Sequence, residues 1–324
     1  MTGRLVIGFS GDVMIGRLVN RCLSKVPPSE LWGDMLSEIR STDINIFNLE
    51  AALTRSNQKV DKVFNFKSDP ANVQTLLEAN VHAVNLANNH VLDYSESGLL
   101  ETLQTLDDAG ILHAGAGKNI LEARRPVIVT KNGITIGLLG ITDNEPGWEA
   151  SEQAPGIRYV AVGDIDKIRP DIESLKRQVD IVILSAHLGP NMQQRPPGPM
   201  VDFIHSLMDA GVDIFHGHSA HIFQGIEYYG SKVIIYDAGD FVDDYYVDPR
   251  LRNDLSFFFK VIVDSEGVRD VRLVPTLISN FQVNHAKGGD FTEAVEKMKV
   301  LSQEFGTSLE LKDNALKLMF DTTA

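Results

Sequence analysis

The alternation of short apolar segments with longer helix-like segments constrains the fold of this chain more than any other feature. Strand-type segments recur from the N-terminus to about residue 236, and most are almost continuously apolar, as expected of strands buried on both faces. The pattern is typical of an α/β protein whose sheets are covered by helices. The strands predicted in this way are Leu5–Phe9, Ile44–Asn48, Ala83–Leu86, Pro126–Thr130, Ile134–Ile141, Ile181–Ser185, Val212–Phe215 and Val233–Tyr236.

Helix and turn signals complete the outline. Start and stop residues predict helices over Asp69–Ala79, Ser95–Ala109 and Pro199–Ala210, the last two ending at Gly110 and Gly211. An Asn-Gly turn at 131–133 and a second turn at 265–267 each predict a hairpin, and 143–158 reads as a long loop. We divide the chain into a main domain, residues 1–285, and a C-terminal helical appendage, residues 286–324, whose helix spans Asp290–Phe305.

Composition narrows the functional classes. The 324 residues carry a formal charge of −14, which repels nucleic-acid phosphates, so we expect no nucleic-acid partner. An anionic small-molecule, peptide or polymer substrate remains compatible, because a bound divalent cation reverses the field inside a cleft. Cys22 is the only cysteine, and no apolar run approaches the roughly 20 residues of a membrane span. We expect a cytoplasmic protein without a membrane span; its oligomeric state is left open.

Residues of the metal-ligand type lie just past the ends of five predicted strands. In an open α/β sheet this rim is where ligands bind. The residues are Asp12, Glu50, the run Asn88-Asn89-His90, His187, and the group His216, His218 and His221.

Carboxylates, an amide and imidazoles on rigid supports can hold one or two divalent ions. Two ions would share a bridging hydroxide and clamp a phosphoester, and His90 could protonate the leaving group. Without a metal, Asp12 with His218 or His221 could serve as an acid–base pair.

Each residue also has a simpler interpretation. Asp12 could cap the following helix, Asn88-Asn89 could form only a turn, and Glu50 could be a surface carboxylate meeting Arg17 or Arg55. The acidic run Asp240, Asp243, Asp244 and Asp248 is interpreted as an exposed loop, with a cation site as the alternative.

Seven ordered motifs between residues 4 and 242 resemble the CapA/PgsA family of bacterial capsule and poly-γ-glutamate synthesis. They are GDVMIGR (11–17), NLE (48–50), LANNHVLDY (86–94), GAG (115–117), AHLG (186–189), GHSAHIFQGIE (217–227) and YDAGDF (236–241). That family is similar in fold to calcineurin-like metallophosphatases. The resemblance implies an α-β-β-α sandwich of two packed mixed sheets flanked by helices.

The resemblance also implies roles for single residues. Asp12 and His221 would bind a first ion, and Asn89, His187 and His218 would bind a second. Glu50 would be the carboxylate that bridges the two ions. The metal would be Mn, Fe or Zn. His90 would be the catalytic acid. Met14 occupies the position where the metallophosphatase pattern has a histidine ligand, so one ion rather than two is also compatible.

Three residues are candidates for binding substrate. Arg17 and Arg195 each carry a guanidinium that can bind a phosphate or carboxylate in a bidentate fork, and Asn88 lies beside the predicted ligands. Both arginines could instead simply face solvent.

Three functions follow from these residues. The first is a metal-dependent hydrolase of a phosphoester or of a γ-glutamyl or peptide-like amide. The second is a metal-independent Asp/His isomerase or epimerase of a peptide. The third is a non-catalytic, polymer-binding subunit of a capsule assembly complex.

Overall fold

Two mixed sheets pack face to face, and helices cover their outer faces. The computed structural model describes residues 3–320. The strands are β1 (Leu5–Val13), β2 (Ile44–Leu49), β3 (Ala52–Leu53), β4 (Lys67–Ser68), β5 (Val81–Asn85), β6 (Leu112–Ala114), β7 (Ala116–Gly117), β8 (Val127–Lys131), β9 (Ile134–Thr142), β10 (Gly156–Ile157), β11 (Ile181–His187), β12 (Ile214–His218), β13 (Ile226–Tyr229), β14 (Lys232–Ile235), β15 (Asp240–Val242), β16 (Leu255–Asp264), β17 (Gly267–Ser279), β18 (Gln282–His285), β19 (Leu309–Lys312) and β20 (Ala315–Leu318). The α-helices are α1 (Arg17–Leu23), α2 (Leu36–Arg40), α3 (Val73–Glu78), α4 (Ser95–Ala109), α5 (Ile120–Arg124), α6 (Arg169–Lys176), α7 (Gly198–Ala210) and α8 (Gly288–Gln303).

The first sheet has ten strands, eight of them in the order β19-β20-β17-β16-β1-β2-β5-β6, with β15 beside β1 and β18 beside β17. The second sheet has six strands in the order β13-β14-β12-β11-β9-β8. Strands β1, β2, β5 and β6 are parallel, and so are β9, β11, β12 and β14. The parallel strands of each sheet therefore bring their carboxyl ends to one edge.

Alternating apolar residues fill the space between the sheets. Leu5, Ile7 and Phe9 of β1 point into this layer, because successive strand residues face opposite sides. The ring of Phe257 in β16 meets that of Phe223 edge-on at 5.1 Å. Separate apolar clusters hold the helices against the two outer faces. The α-β-β-α arrangement predicted from the sequence is confirmed.

All eight predicted strands are present, with ends shifted by at most four residues. Helix α4 coincides with its prediction and ends at Gly110, which has a positive φ of 71°. The segment predicted as one helix from Asp69 begins instead as a 3-10 turn over Pro70–Asn72, and α3 follows. Among residues 3–320, no helix combines the length and apolar character that crossing a bilayer requires.

The C-terminal segment contains more than the predicted helix. After α8 the chain forms a hairpin, and β20 of this hairpin pairs with β17 of the first sheet. Met298 of α8 and Leu316 of β20 are fully buried in the layer between the sheets. The boundary at residue 285 stays a prediction; residues 321–324 of the proposed appendage lie outside the described residues.

Two substitutions on α8 test whether this segment folds with the rest of the chain. We expect Met298→Ala to lower the free energy of unfolding by about 2–5 kcal/mol, because it leaves a cavity in the shared core. Val300→Ala, on the exposed side of the same helix, should change it by less than about 0.5 kcal/mol. Denaturation followed by tryptophan fluorescence reports Trp32 and Trp148, both outside the segment. An unchanged fluorescence transition in Met298→Ala would mean that the segment unfolds separately.

Candidate metal centre

Asp12 lies where the carboxyl ends of the two sheets meet. It belongs to the last part of β1, where the partner on one side changes from β16 to β15, so that Asp12 is in register with Asp240. Gly11 allows this close approach, because a Cβ at that position would lie 1.7 Å from the carbonyl oxygen of Gly239. The Asp12 carboxylate is fully buried, and its Oδ1 accepts a hydrogen bond of 2.6 Å from Asn48 of β2.

Two histidines of the second sheet approach Asp12. His187 ends β11 and His218 ends β12, and the two residues are register partners. Their Nδ1 atoms are 3.0 Å apart, and they lie 3.6 Å and 3.8 Å from Asp12 Oδ1. These three residues form one group of donor atoms close enough together to hold an ion.

A chain of hydrogen bonds sets the tautomer of His218. His216 Nε2 lies 2.7 Å from the carbonyl oxygen of Ser10 and must donate to it, so the neutral ring accepts at Nδ1 from the Ser185 hydroxyl. The Ser185 oxygen can then accept from His218 Nε2, at 3.0 Å. Burial lowers the pKa of both rings, that of His216 to about 4, and favours their neutral forms. His218 Nδ1 is therefore unprotonated and turned toward Asp12, as a metal ligand requires.

A second group of donors consists of Asp12, Glu50, His221 and Asp240. His221 Nδ1 lies 2.9 Å from Asp240 Oδ1 and 3.4 Å from Asp12 Oδ2. The backbone of His221 has a positive φ of 60°, a conformation that is unfavourable for a residue with a Cβ and is often retained at functional sites. Asp12 is common to both groups.

The carboxylates of the second group are buried, and the protein's own hydrogen-bond donors and cations do not fully replace the hydration that these carboxylates lose. Burial, with the charge of Asp12, raises the pKa of Glu50 well above its usual value, and burial does the same for Asp240. Glu50 Oε1 and Asp240 Oδ2 are buried and accept no hydrogen bond from the described residues. Such oxygens are costly unless a cation binds them, so the donor set fits a divalent ion.

The histidines shift the pKa of Asp12 in the opposite direction. Burial by itself raises the pKa of Asp12, but His187, His221 and His218 outweigh it and leave the pKa well below its usual value. For His221 the carboxylates of Asp240 and Glu50 outweigh burial and raise the pKa of the ring well above its usual value. Asp12 is thus held as a carboxylate between imidazoles.

The loop after β5 supplies His90 and two asparagines. His90 Nδ1 lies 2.5 Å from Asp93 Oδ2, and its Nε2 faces Glu50 Oε1 at 3.8 Å. Burial lowers the pKa of His90 to about 4, so the neutral ring donates its Nδ1 proton to Asp93 and presents an unprotonated Nε2. Asn89 Oδ1 is buried without a hydrogen bond from the described residues, as a ligand oxygen would be.

Asn88 is used within the protein. Its side chain donates to Leu49 O at 2.8 Å and accepts from the backbone N–H groups of His90 and Val91. With no exposed surface and these partners, Asn88 shapes the loop, and its role in binding substrate stays a prediction.

A cavity of about 360 Å³ opens beside the donor groups. Four aromatic rings, those of Phe64, Phe66, Tyr245 and Tyr246, line it together with His90, His221 and Arg17. Phe66 stacks on His90 at 3.8 Å between ring centroids. Arg17 lies at the wall of the cavity next to the donor groups, and its guanidinium is 3.3 Å from Asp244.

Arg195 does not line this cavity, although Asn191 and Met192 of the same loop do. Its guanidinium forms a bidentate pair with Glu304, just after α8.

Two simpler interpretations of predicted residues are wrong. Glu50 is not a surface carboxylate, because it has no exposed surface. Asp12 does not cap a helix, since α1 begins after Gly16 without a side-chain cap.

The interpretation of the acidic run as an exposed loop is also wrong for Asp240 and Asp243, which are buried. The reason is that β15 inserts beside β1 and carries Asp240 into the centre. A sequence signal for Asp240 was present in its motif, YDAGDF, in which the carboxylate follows a strand and a tight Ala-Gly turn. Asp93 belongs to the motif LANNHVLDY, three residues after His90, whereas Phe66 and Tyr245 lie in none of the seven motifs.

Comparison with known proteins gives related sequences. The profile of the family described as bacterial capsule synthesis protein PGA_cap matches residues 6–245. A probable polyglutamine synthesis accessory protein of Mycobacterium tuberculosis is 32% identical over 94% of this chain and 86% of its own length. The PGA biosynthesis protein CapA of Bacillus subtilis is 30% identical over 74% of this chain and 63% of its own.

Among solved structures, a hypothetical protein from Thermus thermophilus superposes with a TM-score of 0.46 at 13% identity, covering 86% of this chain and 96% of its own. The family match extends over well more than half of the chain and includes every residue of both donor groups. The chain belongs to the PGA_cap family of bacterial capsule synthesis proteins.

Proposed function

We propose that this protein is a metal-dependent hydrolase of a phosphoester or of a γ-glutamyl or peptide-like amide in capsule or poly-γ-glutamate metabolism. The observation that carries the proposal is the convergence of two buried donor groups on Asp12, with the oxygens of Glu50 and Asp240 left without hydrogen bonds from the described residues. The printed names of the relatives, which refer to PGA biosynthesis and polyglutamine synthesis, support the metabolic setting.

Asp12, His187 and His218 would hold one ion, and Asp12, Glu50, His221 and Asp240 a second. A divalent ion supplies Lewis acidity toward a phosphoryl or carbonyl oxygen and lowers the pKa of water. Mn, Fe or Zn suits a set of imidazole and carboxylate donors.

The remaining residues act around this centre. Asp93 retains the Nδ1 proton of His90, so the unprotonated Nε2 would first take a proton from the attacking water and then donate it to the leaving group. Arg17 lines the cavity and would bind a phosphate or carboxylate of the substrate. Phe66 and Tyr245 form an apolar part of the cavity wall, where they would contact the substrate.

A second candidate function needs no metal. His221 lies between Asp12 and Asp240 at 3.4 and 2.9 Å, close enough for an acid–base pair to remove and return a proton on a peptide or glutamyl substrate. This arrangement favours an isomerase or epimerase if the centre binds no ion.

Metal content after reconstitution with Mn²⁺ or Zn²⁺ tests the donor groups. We expect Asp12→Asn to lose most of the bound metal, because both groups share this carboxylate, while His218→Ala and Asp240→Asn each affect one group. Asp166→Asn, which removes an exposed carboxylate, should bind metal like the wild type. Mass spectrometry of the elements and titration calorimetry measure the stoichiometry. Wild-type stoichiometry in Asp12→Asn would rule out the proposed centre.

Turnover and proton exchange separate the two functions. We expect hydrolysis of bis-p-nitrophenyl phosphate or γ-glutamyl-p-nitroanilide to stop with EDTA and to return with Mn²⁺. His90→Gln should lower kcat by about 10²–10⁴ while keeping the metal content of the wild type, because His90 belongs to neither donor group.

His82→Gln, at the opposite end of β5, is the control and should keep wild-type kcat. Deuterium uptake by a glutamyl peptide that persists in EDTA, without hydrolysis, would instead establish the acid–base function.

A further inference from the structure

A row of three cations crosses the outer face of the first sheet. Lys260 of β16 is the register partner of Arg272 of β17, and Arg272 is the register partner of Lys317 of β20. Their strand neighbours Val261, Val271 and Leu316 face the core, so the three cations project to the other side. Like charges directly opposite each other on neighbouring strands are unfavourable.

The carboxylates near this row do not compensate it fully. Glu38 pairs with Lys260 at 2.6 Å. Asp270 is shared, because it lies 3.1 Å from Arg272 and 3.6 Å from Lys317. One carboxylate thus serves two cations.

A fourth cation, Lys312 of β19, lies on the same face beside the row, because the register partner of Lys317 on β19 is Glu310, two residues before Lys312. Lys312 of β19 forms no ion pair with the residues between 3 and 320. Glu310, the register partner of Lys317, is exposed and lies outside ion-pair distance of it.

The four cations line one cavity of about 380 Å³. Its floor is formed by Val274 of β17 and Ala315 of β20, and the hairpin turn with Asp313 and Asn314 closes one side. Glu38 and Asp313 are the carboxylates of this lining, so the four cations still outnumber them. This volume is in the range of small-molecule sites. The guanidinium of Arg272 offers a planar fork to an oxyanion, and the three ammonium groups add point charges.

We propose that this cavity binds a small multivalent oxyanion carrying phosphate or carboxylate groups, at a site separate from the metal centre. The charge row is unfavourable in the free protein and becomes favourable when an anion enters. In a chain with a net charge of −14, four cations around one cavity select for anions locally against the overall field. None of the four cations belongs to the donor groups around Asp12, so this inference does not depend on the proposed hydrolase.

Calorimetry with metal-free, EDTA-treated protein at low salt tests the site, with tripolyphosphate and citrate as separate probes. We expect wild-type protein to bind at least one of them, and the stronger binder distinguishes a phosphate from a carboxylate ligand. Arg272→Gln and Lys317→Gln should each bind about tenfold more weakly. Lys299→Gln makes the same charge change on α8, outside the cavity, and should bind like the wild type.

The melting temperature of the ligand-free protein distinguishes a binding role of these cations from a purely structural one. If the cations only stabilised the fold, removing one would lower the melting temperature. Without Arg272, Asp270 can pair with Lys317 alone, and the repulsion of Arg272 with Lys260 and Lys317 is removed. Arg272→Gln should therefore melt at or above the wild-type temperature. No binding of either probe by the wild type, equal weakening in Lys299→Gln, or a lower melting temperature of ligand-free Arg272→Gln would each overturn the proposal.

Discussion

The placement of a buried carboxylate at the junction of two sheets is the constraint on which the rest of this structure depends. Asp12 begins the part of β1 that pairs with β2 on one side and β15 on the other, and it faces two histidines from the second sheet. A carboxylate without exposed surface is tolerated only if charges or hydrogen bonds around it compensate the lost water. The imidazoles and Asn48 provide this compensation for Asp12. They do not provide enough for Glu50 and Asp240 as well, because each of these carboxylates keeps an oxygen without a hydrogen bond from the described residues.

The two sheets are also joined by hydrogen bonds that fix the chemistry of the site. His216 of the second sheet donates to Ser10 of the first, and the relay through Ser185 ends at His218. Both ring nitrogens of His216 and the Nε2 of His218 are held by these contacts, which leaves Nδ1 of His218 for the site. Packing of the sheets and the protonation pattern of the site are therefore consequences of the same contacts, and a substitution at Ser185 would disturb both.

The parts of the fold and of the site that the sequence predicts are those whose structure depends on neighbouring residues rather than on contacts between distant segments. The strands β1, β2, β5, β11 and β12 were visible as apolar runs, and the polar residues that follow them identified Asp12, Glu50, His90, His187 and His218 as neighbours, since parallel strands end at one edge. Asp240 was misassigned because its position depends on β15, a strand of three residues that forms only against β1. Arg195 is a candidate from its guanidinium and its place in the Pro-rich loop QQRPPGP, and its pairing with Glu304 involves a residue 109 positions away. The hairpin of β19 and β20 is short and partly polar, so its pairing with β17 is likewise set by tertiary contacts.

Both proposed sites hold like charges close together, negative charges in the metal centre and positive charges in the cavity of the first sheet. Carboxylates crowd around Asp12, and cations stand in register across β16, β17 and β20. Either arrangement costs free energy in the unliganded protein, because like charges are held together where the surroundings compensate them incompletely. Local rules are broken in this way mainly where function requires it. A chain this acidic could have dispersed its cations over the surface to pair with its 44 carboxylates. That four of them instead share one cavity with fewer carboxylates is the reason to regard the outer face of the first sheet as a binding surface rather than as a covering for the core.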